Sequence, residues 1–241
     1  MQLNTHYKLS ITFLVFGKNN DQLFLSTIQE ISDACKEIKD IQYEIILVDD
    51  GSRNKGYQGT IQSLEGVKVL NIGKSLGIAG AVLSGTRLAT YDYVLPIPGH
   101  DMYSATGIKN VVDLTGKGRL IIGCRDNLSD ERPFLKKLAS RVLLMLYRAK
   151  FIHYIGDVHG LILFEKNDIL KYLNPNDGHG HAIKIISNVV KENGLIIQTI
   201  APIKTGHKIL RSKNFLNNIP SPKNTLTVIR TLLKIKKVRS T

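Results

Sequence analysis

Residues 43–52 read YEIILVDDGS, and this stretch decides the fold. Ile45, Ile46, Leu47 and Val48 make an unbroken apolar run, too short for an ordinary helix and rich in β-branched residues, as a strand covered on both faces requires. The run ends abruptly in Asp49, Asp50 and Gly51, an acidic turn at the strand's carboxyl end. In open α/β sheets ligands bind just beyond such ends, where the strand order reverses. The same ten residues therefore propose both a parallel sheet and a place to look for its site.

The pattern repeats outward in both directions. Residues 10–16 (SITFLVF) form a buried strand, followed by a helix that Asp21 could cap, with Leu23, Leu25, Ile28, Ile31 and Ala34 at helical spacing. Further strands are expected at 67–73, 93–97, 119–125, 161–164 and 194–203, and helices at about 76–90, 104–114, 134–150 and 181–193. This alternation predicts a Rossmann-like α/β fold, a mostly parallel central sheet with helices on both faces. Residues 1–215 read as one domain; 216–241 read as a basic linker and C-terminal amphipathic helix, the helix at about 225–237.

Composition bounds the function. The 241 residues suffice for a substantial core, and 43% hydrophobic with 22% charged residues is ordinary for a globular protein. Charge is not ordinary: 33 Lys and Arg against 20 Asp and Glu give +13, which favours polyanionic partners. Specific nucleic-acid recognition is not expected, because aromatics are only 7%, Trp is absent and no recognition motif occurs. Cys35 and Cys124 form neither a disulfide framework nor a metal motif, and a reducing cytoplasm is the expected setting. The first eight residues are too polar for a signal peptide, and no apolar run approaches the ~18 residues that span a bilayer. Residues 133–150 (PFLKKLASRVLLMLYRAK) and the tail mix apolar and basic residues, so peripheral binding to an anionic membrane, at its inner face, is expected.

Several motifs carry candidate chemistry. The Asp49–Ser52 turn offers backbone amides to phosphate or ribose, and carboxylates to a base N–H or hydroxyl. It also reads as a plain turn or helix cap. Receiver domains carry adjacent acids too, but after their first strand, whereas these follow the second. The Gly-rich segment after the third strand, with Gly77, Gly80, Ala81, Ser84 and Gly85, lets a helix approach the sheet or a ligand closely, and Lys74 offers charge to a diphosphate. No G-x-G-x-x-G follows the first strand, which argues against a dehydrogenase.

Taken in order, Val48 to Ser52, Asn71 to Ala81, Tyr91 to Val94, Gly123 to Arg125 and Asp157 to Gly160 resemble the GT-A glycosyltransferases of the family 2 type, in particular the polyprenyl-phosphate branch related to dolichol-phosphate mannose synthase. The resemblance covers roughly residues 8–213. It implies an inverting, hexosyltransferase-like enzyme that moves a sugar from a nucleoside diphosphate sugar to an acceptor, a polyprenyl phosphate or a surface-glycan precursor in cell-envelope glycan synthesis. Residue by residue, it implies donor binding by Phe16, Asn19, Asp49, Asp50, Lys74, Gly77, Gly80, Pro98 and Gly99. Acceptor or phosphate binding falls to Arg125, Arg141, Arg211 and Lys213, and catalysis to Asp101, Arg125 and His181, with either His179 or His181 a candidate base or phosphate ligand in a His-Gly run that also reads as an irregular loop.

Two departures stand out. The loop after the first strand reads Phe16-Gly17-Lys18-Asn19-Asn20 where the family has P-x-Y-N-E. The D-x-D position reads Pro98-Gly99-His100-Asp101, with the first acid replaced by proline. His100 and Asp101 are the candidate ligands for Mn²⁺ or Mg²⁺, and an imidazole suits Mn²⁺ better. Metal-free transfer, and a non-catalytic nucleotide-sugar-binding or scaffold protein with a degenerate metal site, are the alternatives these residues leave open.

Overall fold

The structure is a computed structural model that describes residues 9–53, 56, 58–62, 64–125, 138, 141–142, 145–146 and 155–204. Its centre is a seven-stranded sheet in the order β3-β2-β1-β4-β6-β5-β7. The strands are β1 (Leu9–Gly17), β2 (Ile41–Asp49), β3 (Val67–Asn71), β4 (Tyr93–Pro98), β5 (Leu120–Cys124), β6 (Leu161–Glu165) and β7 (Ile196–Ile200). All pairings are parallel except those of β6 with β4 and with β5. The expected mostly parallel α/β sheet is thus found, and each of its seven strands falls where the apolar runs lie.

The helices are α1 (Asp21–Lys36), α2 (Gln58–Gln62), α3 (Gly77–Leu88), α4 (Ala105–Val112), α5 (Lys166–Tyr172) and α6 (His181–Lys191), the last preceded by a 3₁₀ segment, Pro175–Gly180. The strand alternation divides the core in two. Leu14, Phe16, Ile46 and Val48 pack with α3 and α6 on one face, and Ile11, Phe13, Val15, Ile45 and Leu47 with α1 and α4 on the other. This explains why β1 and β2 are apolar without alternation: both of their faces are covered.

Some local details differ from the sequence expectation. The N-cap of α1 is Asn20, not Asp21, and its side chain caps nothing; its amide instead donates to Gly99 O at 3.0 Å. The short helices α2 and α5 are too brief to show a helical period. The expected helix at 134–150 is described only at 138, 141, 142, 145 and 146, which are helical. Arg211, Lys213, the linker and the helix at 225–237 lie outside the described residues. Among the described residues no helix is long and apolar enough to cross a membrane.

Register gathers the loops on one edge. Gly17 pairs with Asp49, Asp49 with Asn71, and Phe16 with Pro98, so β1 to β4 end together. β5 and β7 also end there, and antiparallel β6 starts there. The order reverses between β1 and β4, because β2 and β3 lie to one side of β1 and β4 to the other. That is the crevice where such sheets bind ligands.

Candidate active site

The two acids after β2 are buried, Asp49 at 1% and Asp50 at 7% exposure. Asp49 Oδ1 accepts the Ser52 N–H at 2.9 Å and the Ser52 hydroxyl, which closes the turn; Ser52 Oγ in turn accepts the Asn19 N–H at 2.7 Å. Asn19 Oδ1 accepts the Arg53 N–H at 3.0 Å, so the loops after β1 and β2 are stitched together. Asp50 reaches the start of α3: Oδ1 accepts Leu76 N–H at 2.7 Å, and Oδ2 accepts Gly77 N–H at 3.0 Å and Ser75 Oγ–H at 2.6 Å. A carboxylate here satisfies otherwise orphaned amides and meets the positive end of the helix dipole. The capping reading of this acidic pair is thus present in the geometry.

Replacing Asp50 with Ala is expected to destabilise the fold by about 2–3 kcal/mol, through lost charged hydrogen bonds and two amides left without acceptors. A urea denaturation midpoint equal to wild type would show the cap to be dispensable.

Gly77 has φ +73°, which a side chain would strain, and its open side leaves space at the mouth of α3. Gly80 tolerates no Cβ, since one would lie 2.4 Å from Leu76 Cβ. Lys74 is exposed in the loop between β3 and α3.

Across the crevice, β4 runs out at Pro98 into the turn that carries His100 and Asp101. Gly99 N–H donates to Phe16 O at 2.8 Å, extending the pairing with β1, and His100 N–H turns back to Pro98 O at 2.9 Å. Phe24 of α1 packs so closely that a Cβ on Gly99 would lie 2.4 Å from its ring. Asp101 is left-handed, φ 56°, a conformation aspartate tolerates better than most residues. Its N–H donates to Thr27 Oγ1 at 3.0 Å, and its Oδ1 accepts from Lys204 Nζ at 2.6 Å. Asp50 and Asp101 therefore flank the end of β1 on the same edge of the sheet.

A third cluster forms where β5 ends and β6 begins. Arg125 donates Nε to Asp157 Oδ2 at 2.7 Å and Nη2 to Oδ1 at 3.1 Å, a planar fork. The same carboxylate accepts His159 N–H at 2.8 Å. Burial pulls the Asp157 carboxyl up, but the Arg125 charge and these bonds outweigh it and hold it below the ordinary aspartate value. Tyr103, 2% exposed, donates its hydroxyl to His159 O at 3.3 Å; burial pushes its pKa up. Gly160 passes against β5 so tightly that a Cβ would fall 1.9 Å from Gly123 O.

His181 opens α6, its Nδ1 3.2 Å from Gly178 O, which marks Nδ1–H as the donor of a neutral ring. Burial pushes its pKa down to about 4. The unfolded chain, with an ordinary histidine value near 6.5, therefore takes up the proton first as the pH falls. Stability is expected to drop from pH 6.5 towards 4, by about 2 kcal/mol between pH 7 and pH 5. His181→Gln should flatten that limb in urea titrations at the two pH values; an unaltered limb would assign the titration elsewhere. His179 is likewise lowered by burial. Arg141 is helical and exposed.

The structure thus gathers Phe16, Asn19, Asp49, Asp50, Pro98, Gly99, His100, Asp101 and Arg125 at one edge. Thr27, Glu30, Ser75, Tyr103, Asp157 and Lys204 complete the arrangement and were not among the residues chosen from sequence. Asp157 had a signal in the stretch Asp157 to Gly160, which carries part of the family resemblance. Lys204 had none, standing at the start of a polar stretch.

Comparison with known proteins agrees with the fold. The family model described as glycosyl transferase family 2 matches residues 18–182. No curated protein matches the chain by sequence. Among solved structures, glucosyl-3-phosphoglycerate synthase from Mycobacterium tuberculosis with Mn²⁺ and UDP-glucose superposes with a TM-score of 0.70 at 18% identity, covering 96% of this chain and 80% of that one. The same enzyme with phosphoglyceric acid gives 0.69 at 18% identity, with 96% and 81% covered. Mannosyl-3-phosphoglycerate synthase from Rubrobacter xylanophilus gives 0.70 at 15% identity, with 93% and 73% covered.

Proposed function

The chain belongs to glycosyl transferase family 2 and is a glycosyltransferase, and from that premise we propose that it moves a sugar from a nucleoside diphosphate sugar to an acceptor bearing a phosphate group. The observation that carries this reading is the placement of the Asp50-capped mouth of α3 and the His100–Asp101 turn on either side of the strand-order reversal. The donor would lie across β1, with the nucleoside towards the Asn19 and Asp49–Ser52 loops and the diphosphate between Lys74 and Asp101. Asp49 and Asp50 act there by holding the loops that face the ligand.

The donor set fits a divalent ion that arrives with its substrate. An imidazole and a carboxylate stand at consecutive positions, and among the described residues no group of three or more His, Cys, Asp or Glu could hold a metal alone. Diphosphate oxygens and water would complete the shell. His100 and Asp101 would hold Mn²⁺ or Mg²⁺, which when bound supplies positive charge to the departing diphosphate. Mn²⁺ accompanies UDP-glucose in the mycobacterial enzyme.

An acceptor phosphate oxygen is already ionised near neutral pH and needs no general base, which agrees with a His181 whose pKa lies near 4. It attacks the anomeric carbon as the bond to the diphosphate breaks, so the centre inverts. A charge of +13 favours such an acceptor. The mycobacterial enzyme was crystallised with phosphoglyceric acid, a small ligand that carries a phosphate. A lipid phosphate is favoured by a specific feature: Leu138, Val142, Met145 and Leu146 are exposed at helical spacing, with basic Arg141 among them.

A thermal-shift panel of UDP- and GDP-sugars with and without Mn²⁺ tests the donor site. Product analysis with polyprenyl phosphate, 3-phosphoglycerate or neither then tests the acceptor. A donor-dependent shift followed by transfer to a phosphate is expected. Binding with no transfer to any phosphorylated acceptor would favour the non-catalytic alternative.

A further inference from the structure

The segment after β7 brings a cation to the acidic side of the crevice. Ile203 bridges Tyr103, and Lys204 N–H donates to Met102 O at 2.9 Å, which anchors the Lys204 backbone beside the β4 turn. Its Nζ lies 2.6 Å from Asp101 Oδ1 and 2.8 Å from Glu30 Oε1. Glu30 is itself fixed, its Oε2 accepting Ala105 N–H at 2.6 Å at the first residue of α4. Asp101 is held from the other side by Thr27. The ammonium thus sits between two carboxylates, and one of them is the carboxylate assigned to the metal–diphosphate.

A divalent ion on Asp101 Oδ1 would stand within a few ångströms of this ammonium. In a half-buried setting like charges at that separation repel strongly, so the two cannot share the oxygen. Glu30 provides an exit, because Lys204 can keep that charge-assisted bond while giving up Asp101.

We infer that Lys204 is a positioning residue that competes with the metal for Asp101: it neutralises the carboxylate in the donor-free protein and shifts to Glu30 when metal and nucleoside diphosphate arrive together. This rests on the reading of Asp101 as a metal ligand. The consequence is ordered binding. Metal alone meets an occupied carboxylate, whereas the diphosphate adds the negative charge and the oxygen ligands that tip the exchange.

The test is Mn²⁺ titration of donor-free protein, followed by the electron paramagnetic resonance of free Mn²⁺. Lys204→Met is expected to bind Mn²⁺ at least about tenfold more tightly, because a contacting positive charge is gone. Lys204→Arg, whose fork grips a carboxylate more firmly, should bind it more weakly. Glu30→Gln, which confines the ammonium to Asp101, should also weaken it. A merely structural lysine predicts loosened, weaker binding in Lys204→Met. Unchanged or weaker affinity in a folded Lys204→Met protein overturns the inference. If that variant does not fold, unchanged or tighter binding by Lys204→Arg does so. The wild-type donor shift reads the transfer proposal separately: a failed Mn²⁺ result with that shift intact removes only the role of Lys204.

Discussion

Asp101→Asn is expected to lower kcat by about 10²–10³-fold, the usual scale for removing one group that stabilises charge at a reacting centre. The substitution preserves shape, and asparagine accepts the left-handed backbone that Asp101 adopts at φ 56°. Its side-chain oxygen can still receive Lys204, which also keeps Glu30. The fold should therefore survive with a modest loss of stability, while the Mn²⁺-dependent part of the donor shift disappears. Measuring kcat, donor affinity and melting temperature on one preparation separates chemistry from folding. Wild-type turnover in a folded Asp101→Asn protein would remove Asp101 from the mechanism and, with it, the metal assignment.

Arg125→Ala should produce the largest loss of stability. Asp157 is largely enclosed, its side chain 13% exposed, and Arg125 is its main compensating charge. Removing one partner of a buried pair leaves an uncompensated charge and costs about 3–5 kcal/mol. For a domain of this size that is a melting temperature lower by roughly 6–20 °C. Without the guanidinium, burial acts on Asp157 against little more than the His159 N–H, so its folded pKa should rise and the deficit should shrink in acid. A second substitution, Asp157→Ala, removes the stranded charge and should restore part of the stability at neutral pH. Calorimetry of the two single variants and the double variant checks this. Equal melting of Arg125→Ala and wild type would show that Asp157 finds its compensation elsewhere.

Such a loss would also bear on the role of Arg125 in binding an acceptor. From sequence, an arginine following a strand looked free to meet a phosphate. In the fold its Nε and Nη2 serve Asp157. Similarly, Asp50 read as a donor contact and stands as the cap of α3. In both cases residue type and strand-end position were legible, but the partner was not. Asp157 lies 32 residues from Arg125, and Leu76 lies 26 from Asp50.

The chain's local chemistry determined its strands, its longer helices and its family. Short unbroken apolar runs rich in β-branched residues read as strands covered on both faces, and the Asp-Gly and Pro-Gly turns end them. Because those turns follow strands that run the same way, the candidate ligands had to share an edge. What neighbours what was decided only in three dimensions. Insertion of antiparallel β6 between β4 and β5, and the pairing of β7 with β5, return the chain to Met102 and set Lys204 against an aspartate 103 residues earlier. An ion pair of this kind leaves no periodic trace, since its energy depends on a distance set by the whole sheet and not by either residue's neighbours in sequence.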